Sequence, residues 1–383
     1  MVTATSLHYI RLFYLVYFAA MGLVLPFFPV YLQQTGLGAG MIGVMTGLLA
    51  AARVIAPPWL GHILDHRHAG AVRLVLISSA LLAALFASML GAFEHVLLLA
   101  LVTLLFGIFW AILLPLTDGL SVSVSEAALA DYGRLRVWGS VGFVIASLAG
   151  GAWLMGDSLH ETFPAILVIL MLVTAFAATG FPTLHAPEAE STGIGRPRFS
   201  VQFRLLLVIA FIMQASHGAY YGFFSLYLSD AGYAGGEIGA YWVIGVLAEI
   251  VMMWLWSRRV QQVAPAWVFA VCMLLAAMRW LGIGLTTNGW ILVVLQLLHA
   301  ASFAAFHVAA IAWVRRLAPV SRHSAAQGLF SAAGFGLGST VGMMMCGWIV
   351  EVYGFSAAFF CCSAIAVVGV PLSLLLPRRM VRG

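Results

Sequence analysis

The sequence predicts an all-α integral membrane protein with twelve transmembrane helices in two six-helix pseudo-repeats. Three observations carry that prediction. Of 383 residues, 63% are hydrophobic and only 8% charged, where soluble domains carry about 25% charged residues. Twelve apolar segments long enough to cross a bilayer can be drawn, with arginines at alternate ends. A stretch of the first half also realigns on the second without gaps. A soluble globular protein is excluded by composition, and an outer-membrane barrel would show short alternating strands instead of long apolar runs.

The segments run 8–32, 41–64, 72–92, 95–118, 135–156, 163–184, 203–228, 238–257, 266–287, 290–314, 324–350 and 355–377. The first is too long for a signal peptide and lacks a small-residue cleavage site, so it reads as a retained helix. The chain has no lysine. Sixteen of its 18 cationic side chains (Arg11, Arg67, Arg73, Arg134, Arg136, Arg196, Arg198, Arg204, Arg258, Arg259, Arg315, Arg316, Arg322, Arg378, Arg379 and Arg382) fall at one set of segment ends. The opposite loops hold Glu94, Asp157, Glu161, Asp230, Glu237 and Glu351. By the positive-inside rule, both termini and the longest loop, 185–202, are expected in the cytoplasm of a bacterial-type inner membrane. This distribution accounts for the net charge of +5 without a nucleic-acid partner. Cys272, Cys346, Cys361 and Cys362 lie inside apolar runs with no CxxC spacing and read as packing residues.

Residues 22–43 align on residues 218–239, matching Gly22/Gly218, Phe27/Phe223, Phe28/Phe224, Tyr31/Tyr227, Leu32/Leu228, Gly36/Gly232 and Ile42-Gly43/Ile238-Gly239. The halves are therefore expected as bundles 1–184 and 203–383, joined by the polar Gly/Pro/Ser-rich linker 185–202. A parallel six-plus-six repeat is the footprint of the major facilitator architecture, with its site near the midplane. Glycine runs in the fifth segment (Gly139, Gly142, Gly150, Gly151) and the eleventh (Gly334, Gly338, Gly342) point to close helix approach. With no phosphate loop or metal-ligand cluster, neither ATP hydrolysis nor a cofactor is expected.

Ionisable groups inside the spans are the candidate chemistry. Glu249 sits ~17 Å along its helix from Ile238, near the middle of a hydrocarbon layer. An ionised side chain at that depth costs roughly 2.5–3.5 kcal/mol, so Glu249 must face protein or a cavity and have a partner or a proton. The same offset that aligns the halves places Arg53 at its position in the first half. Arg279, His217, His299 and His307 complete the set, with Asp118 and Arg136 at cytoplasmic ends. His299, Ser302, Phe303, Phe306 and His307 share one helical face. The plainer alternatives are interhelical hydrogen bonding for the histidines and a structural pair for Arg53. Phe27, Phe28, Tyr31, Tyr220, Tyr221, Phe223, Phe224 and Tyr227 are ring-stacking candidates, some of them ordinary packing or interface residues.

Several segments carry a resemblance: LLPLTDGL (113–120), YGRLRVWGSVGF (132–143), HGAYYGFFSLYLSDAGY (217–233), GVLAEI (245–250), MRWLG (278–282), LLHAASFAAFH (297–307) and FGLGSTVG (335–342). In order along nearly the whole chain, they resemble the phenylpropionate permease group of proton-symporting major facilitators, similar to lactose and nucleoside permeases. The resemblance implies substrate-binding roles for Asp118 and Arg136 and proton-coupling roles for Glu249, Arg279 and His299. It also offers Arg136 as a partner for Glu249. The acid expected three residues after the histidine is Ser302 here, which moves proton handling to Glu249. The loop 61–73 resembles the gating motif through Gly61, Asp65 and Arg73, and is otherwise degenerate.

Together these readings predict a proton-coupled symporter importing a small organic solute such as an aromatic carboxylate. Glu249, His299 and Arg279 would serve the proton. Asp118, Arg136, Arg53, His217, Tyr220, Tyr221, Phe27, Phe224 and Ser302 would serve the substrate, with Arg279 or Arg53 on its carboxylate. The expected partners are the small-molecule substrate, protons and the lipid bilayer, with a monomer as the working unit. Alternatives are a sugar or nucleoside symporter or a drug/proton exporter of the same fold. An enzyme acting on lipid-linked substrates has only His160-Glu161 and His185 through Glu188 as hints.

Overall fold

The computed structural model describes residues 4–64, 71–93, 95–128, 132–154, 159–182, 199–260, 262–319 and 322–378. Among these residues the chain is helical, with no strand. Twelve helices are long and apolar enough to cross a membrane. We number them α1 (Ala4–Gln34), α2 (Ala39–Leu64), α3 (Ala71–Ser88), α4 (Val96–Ala128), α5 (Tyr132–Leu154), α6 (Leu159–Thr179), α7 (Val201–Asp230), α8 (Gly235–Val260), α9 (Pro265–Leu285), α10 (Gly289–Leu317), α11 (Ala325–Tyr353) and α12 (Phe355–Ser373). Most of the linker expected at 185–202 lies outside the described residues.

Helix starts and stops follow from local chemistry. The Ser200 hydroxyl accepts the Phe203 amide at the start of α7, and the Asn288 side chain accepts the Trp290 and Ile291 amides at the start of α10. Glu237 accepts the Ala234 amide at 2.8 Å ahead of α8. Glu351, near the end of α11, accepts the Gly40 amide in the first turn of α2. Arg258 and Arg259 close α8, and Arg315 and Arg316 close α10, where cations complement the carboxyl end of a helix.

The aligned repeat has the same backbone in both copies. Gly36 and Gly232 end their helices at φ 84° and 86°. Amide 35 bonds carbonyl 31 as amide 231 bonds carbonyl 227, and amide 36 bonds carbonyl 33 as amide 232 bonds carbonyl 229. Only glycine adopts this left-handed turn at little cost, which explains the paired glycines.

By contact the chain falls into two compact units. The first holds Met1–Gly36, Ala51–Ser191 and Ala234–Gly239; the second holds Leu37–Ala50, Thr192–Tyr233 and Ala240–Gly383. In the first unit α1 packs on α5 and α6, and α3 packs on α4 and α6. A Cβ on Gly142 would collide with the Leu15 carbonyl, so α1 and α5 meet backbone to backbone. In the second unit α9 packs on α12, and α7 packs on α11. There Gly342 meets the Ala215 carbonyl in the same way. The glycine runs of α5 and α11 thus act as close-approach faces.

Three helices of the second unit are interrupted. α7 breaks at Ser216-His217, where the Ser216 hydroxyl and the His217 ring both bond the Met213 carbonyl. α10 carries a π-helical segment over Ala300–Ala305, and α11 carries another over Ala332–Gly338. Such segments widen a helix locally and recur at functional sites. One of them starts immediately after His299.

Candidate functional site

The second unit gathers most of the candidate residues into one buried network. α8 supplies Glu249, α9 supplies Arg279, α10 supplies Gln296, His299 and Ser302, and α7 supplies His217 and Tyr220. Arg279 is fully buried, with its guanidinium 4.3 Å from the ring centre of Tyr220 and 4.5 Å from that of Trp280. Its Nη1 contacts His299 Nδ1 at 2.7 Å and the Ser302 hydroxyl at 3.4 Å. Its Nη2 donates to Gln296 Oε1 at 2.5 Å. On the far side of the imidazole, His299 Nε2 lies 2.7 Å from Glu249 Oε1.

Donor chemistry fixes the protonation pattern of this chain. A guanidinium has no acceptor, so His299 Nδ1 must accept from Arg279. The imidazole proton then sits on Nε2 and points at Glu249. Protonating Nδ1 as well would set two cations face to face, a repulsion of about 4 kcal/mol for unit charges 4 Å apart at an effective dielectric of 20. A second proton on His299 is therefore disfavoured for as long as Arg279 holds it. The Glu249 side chain also keeps 13% of its surface accessible against 5% for His299, so it is the reachable end of the chain.

The rest of the network braces it. Gln296 Nε2 donates to the Tyr241 carbonyl at 2.8 Å and to the Tyr220 hydroxyl at 3.2 Å. His217 is fully buried with Nδ1 bonded to Met213, and its ring stands edge-on to Trp280 at 4.8 Å. Among the described residues its Nε2 is buried without a hydrogen-bond partner. Tyr220 and Phe224 are buried against Trp242, whereas Tyr221 is partly exposed and stacked on His217. Below His299, Phe303 and His307 continue a column of stacked rings. Phe306 leaves the face expected for it and packs on Phe269 of α9, because the π segment shifts the register of the residues that follow.

The first unit holds a second charged cluster. Asp118 on α4 accepts from the Tyr14 hydroxyl at 2.7 Å and from the Tyr132 hydroxyl at 3.1 Å, both on Oδ1. The Arg136 guanidinium on α5 lies 3.9 Å from the ring centre of Phe18 and 5.5 Å from that of Tyr14. Among the described residues no carboxylate forms an ion pair with it. Arg53, on α2, is half-buried. Within the second unit the bond made by Glu249 goes to His299. Phe27 is fully buried against Gly150. Gly61 lies in α2 and Arg73 is exposed at the start of α3, while Asp65 lies outside the described residues.

Sequence reasoning missed Gln296, Tyr14, Tyr132 and Phe18. A search for ionisable groups passes over amides and phenols. The available signal was Gln296 itself, an amide one turn before His299 in an otherwise apolar run.

Comparison with known proteins agrees with the twelve-helix fold. The MFS_1 like family matches residues 7–361. The Escherichia coli (strain K12) protein named "Probable 3-phenylpropionic acid transporter" is 32% identical over 388 residues, covering 97% of this chain and 98% of its own. "Maltose permease" of Geobacillus stearothermophilus is 29% identical over 375 residues, covering 96% and 94%. Among solved structures, the nucleoside transporter NupG superposes with a TM-score of 0.82 over 97% of this chain and 99% of that one. At 16% identity, that last likeness is one of fold.

Proposed function

Because the chain belongs to the MFS_1 like family of membrane transporters, we propose that it is a proton-coupled symporter importing a small aromatic carboxylate across the inner membrane. The compound named for its Escherichia coli relative, 3-phenylpropionate, is the leading substrate. Membership of this family makes the protein a multi-pass transporter of small molecules and not an enzyme. The observation that carries the finer reading is the Arg279–His299–Glu249 chain, in which a buried arginine keeps the histidine neutral and leaves the carboxylate as proton acceptor.

In this mechanism Glu249 takes a proton from the outer side and releases it on the inner side when its surroundings change. Arg279 is enclosed by Tyr220, Trp280, His299 and Gln296, so the substrate carboxylate falls to Arg136, aided by Arg53. Arg136 offers the edge of a guanidinium whose face already rests on Phe18, the arrangement that binds a carboxylate with two parallel hydrogen bonds. Transport proceeds by alternating access, with both termini in the cytoplasm and a single chain as the working unit. Glu249→Gln tests this reading. In proteoliposomes with an inward proton gradient, the variant is expected to equilibrate labelled 3-phenylpropionate without accumulating it. Proton-dependent accumulation by the variant would refute the mechanism.

A second reading, a sugar symporter, is favoured by the likeness to maltose permease over nearly the whole chain. Counterflow with labelled 3-phenylpropionate, maltose and a nucleoside separates the two. The expected result is exchange of the aromatic acid alone.

A further inference from the structure

The proton chain depends on how the Arg279 guanidinium is aimed, and one residue outside the expected site sets that aim. Gln296 is fully buried and uses both ends of its amide. Its Nε2 faces the Tyr241 carbonyl at 2.8 Å, and a carbonyl can only accept. That contact fixes the amide orientation, so Oε1 must face Arg279 Nη2, 2.5 Å away. Tyr241 lies on α8, two turns before Glu249, so the amide ties the arginine to the helix that bears the carboxylate. A neutral amide anchors the guanidinium without cancelling its charge, and Nη1 is left directed at His299 Nδ1.

We propose that Gln296 is a positioning residue for the proton step, aiming Arg279 so that His299 stays neutral and presents Nε2–H to Glu249. The proposal rests on the proton-coupled reading above. Without the amide, Nη2 loses its acceptor in a closed pocket, and Glu249 is the carboxylate of this network left to take it. Arg279 would then pair with Glu249 directly and hold it ionised. With a carboxylate in place of the amide, the arginine would be neutralised locally and His299 released to take the proton itself.

Two variants and two readouts test this. Gln296→Leu and Gln296→Glu, each in the full chain, are compared in proteoliposomes for counterflow of 3-phenylpropionate, which needs no net proton movement, and for proton-driven uptake. Counterflow is expected to survive, while accumulation falls about tenfold or more, the scale of one lost buried hydrogen bond to a charged group. Nitrogen-15 spectra of histidine-labelled protein, with His299 assigned through His299→Asn, are expected to show Nδ1 bare in the parent and protonated in part in both variants. If Gln296→Leu does not fold, Gln296→Glu preserves the side-chain volume and carries both readouts. Unchanged accumulation together with unchanged His299 signals would overturn the proposal. Should Glu249→Gln itself accumulate substrate, the proton-coupled reading fails, and the His299 spectra alone decide whether Gln296 positions the arginine.

Discussion

The two units use one inventory, an arginine on aromatic rings and a carboxylate, and wire it in opposite ways. In the second unit both terminal nitrogens of the arginine are held by neutral partners, Gln296, His299 and Ser302, and the carboxylate Glu249 keeps the accessible end. In the first unit the carboxylate is held by two phenols, Tyr14 and Tyr132, and the arginine keeps its edge. An arginine tied down by neutral partners beside a reachable carboxylate suits the holding of a proton. A carboxylate held by phenols beside an arginine with an open edge suits the binding of an anion. The wiring, more than the residue types, separates the two proposed roles.

That contrast can be broken in graded steps. The largest effect is expected from Arg136→Ala, which removes the open guanidinium edge. Counterflow and uptake of 3-phenylpropionate should both collapse, whereas Arg136→Lys should recover little because an ammonium lacks the planar fork. Retention of tight binding by Arg136→Ala, measured by calorimetry on purified protein, would remove the first unit from anion binding. Gly142→Leu should come next, through stability. A side chain forced against the Leu15 carbonyl is expected to cost at least about 1–3 kcal/mol and lower the thermal midpoint in detergent.

Tyr14→Phe deletes one of the two donors on Asp118. A hydrogen bond to a charged group contributes about 1.5–3 kcal/mol, so substrate affinity should weaken by roughly ten- to a hundredfold while proton coupling per molecule transported is kept. An unchanged affinity would mean that Asp118 does not prepare the anion site. The smallest effects belong to the repeat. Gly36→Ala and Gly232→Ala should each destabilise by about 1–2 kcal/mol, the strain of a left-handed residue, and by similar amounts because both turns share one geometry. Thermal unfolding of the pair checks this, and a large difference between them would show that the repeat ends at the backbone.

Much of this was legible in the sequence. The twelve helices follow from uninterrupted apolar runs, since in a bilayer the backbone must satisfy itself helix by helix. The turns at Gly36 and Gly232 and the glycine faces of α5 and α11 follow from residues that only a tight approach or a left-handed turn requires. The charges inside the spans were also visible, because burying them is costly. The wiring was not. Which carboxylate meets which cation depends on helix rotation, and the π segment after His299 alters that rotation without any signature in composition. Gln296 was invisible for a related reason: an amide costs less to bury than a charge and matters here only through what it touches.

The central claim is that Glu249 carries the proton while Arg136 binds the anion. A single measurement addresses it most directly: proton uptake by de-energised proteoliposomes on addition of 3-phenylpropionate, followed with an external pH probe. Parent protein should take up protons with substrate. Glu249→Gln should show counterflow but no proton uptake, and Arg136→Ala should show neither. Substrate-driven proton uptake by Glu249→Gln at the parent's ratio would contradict the account.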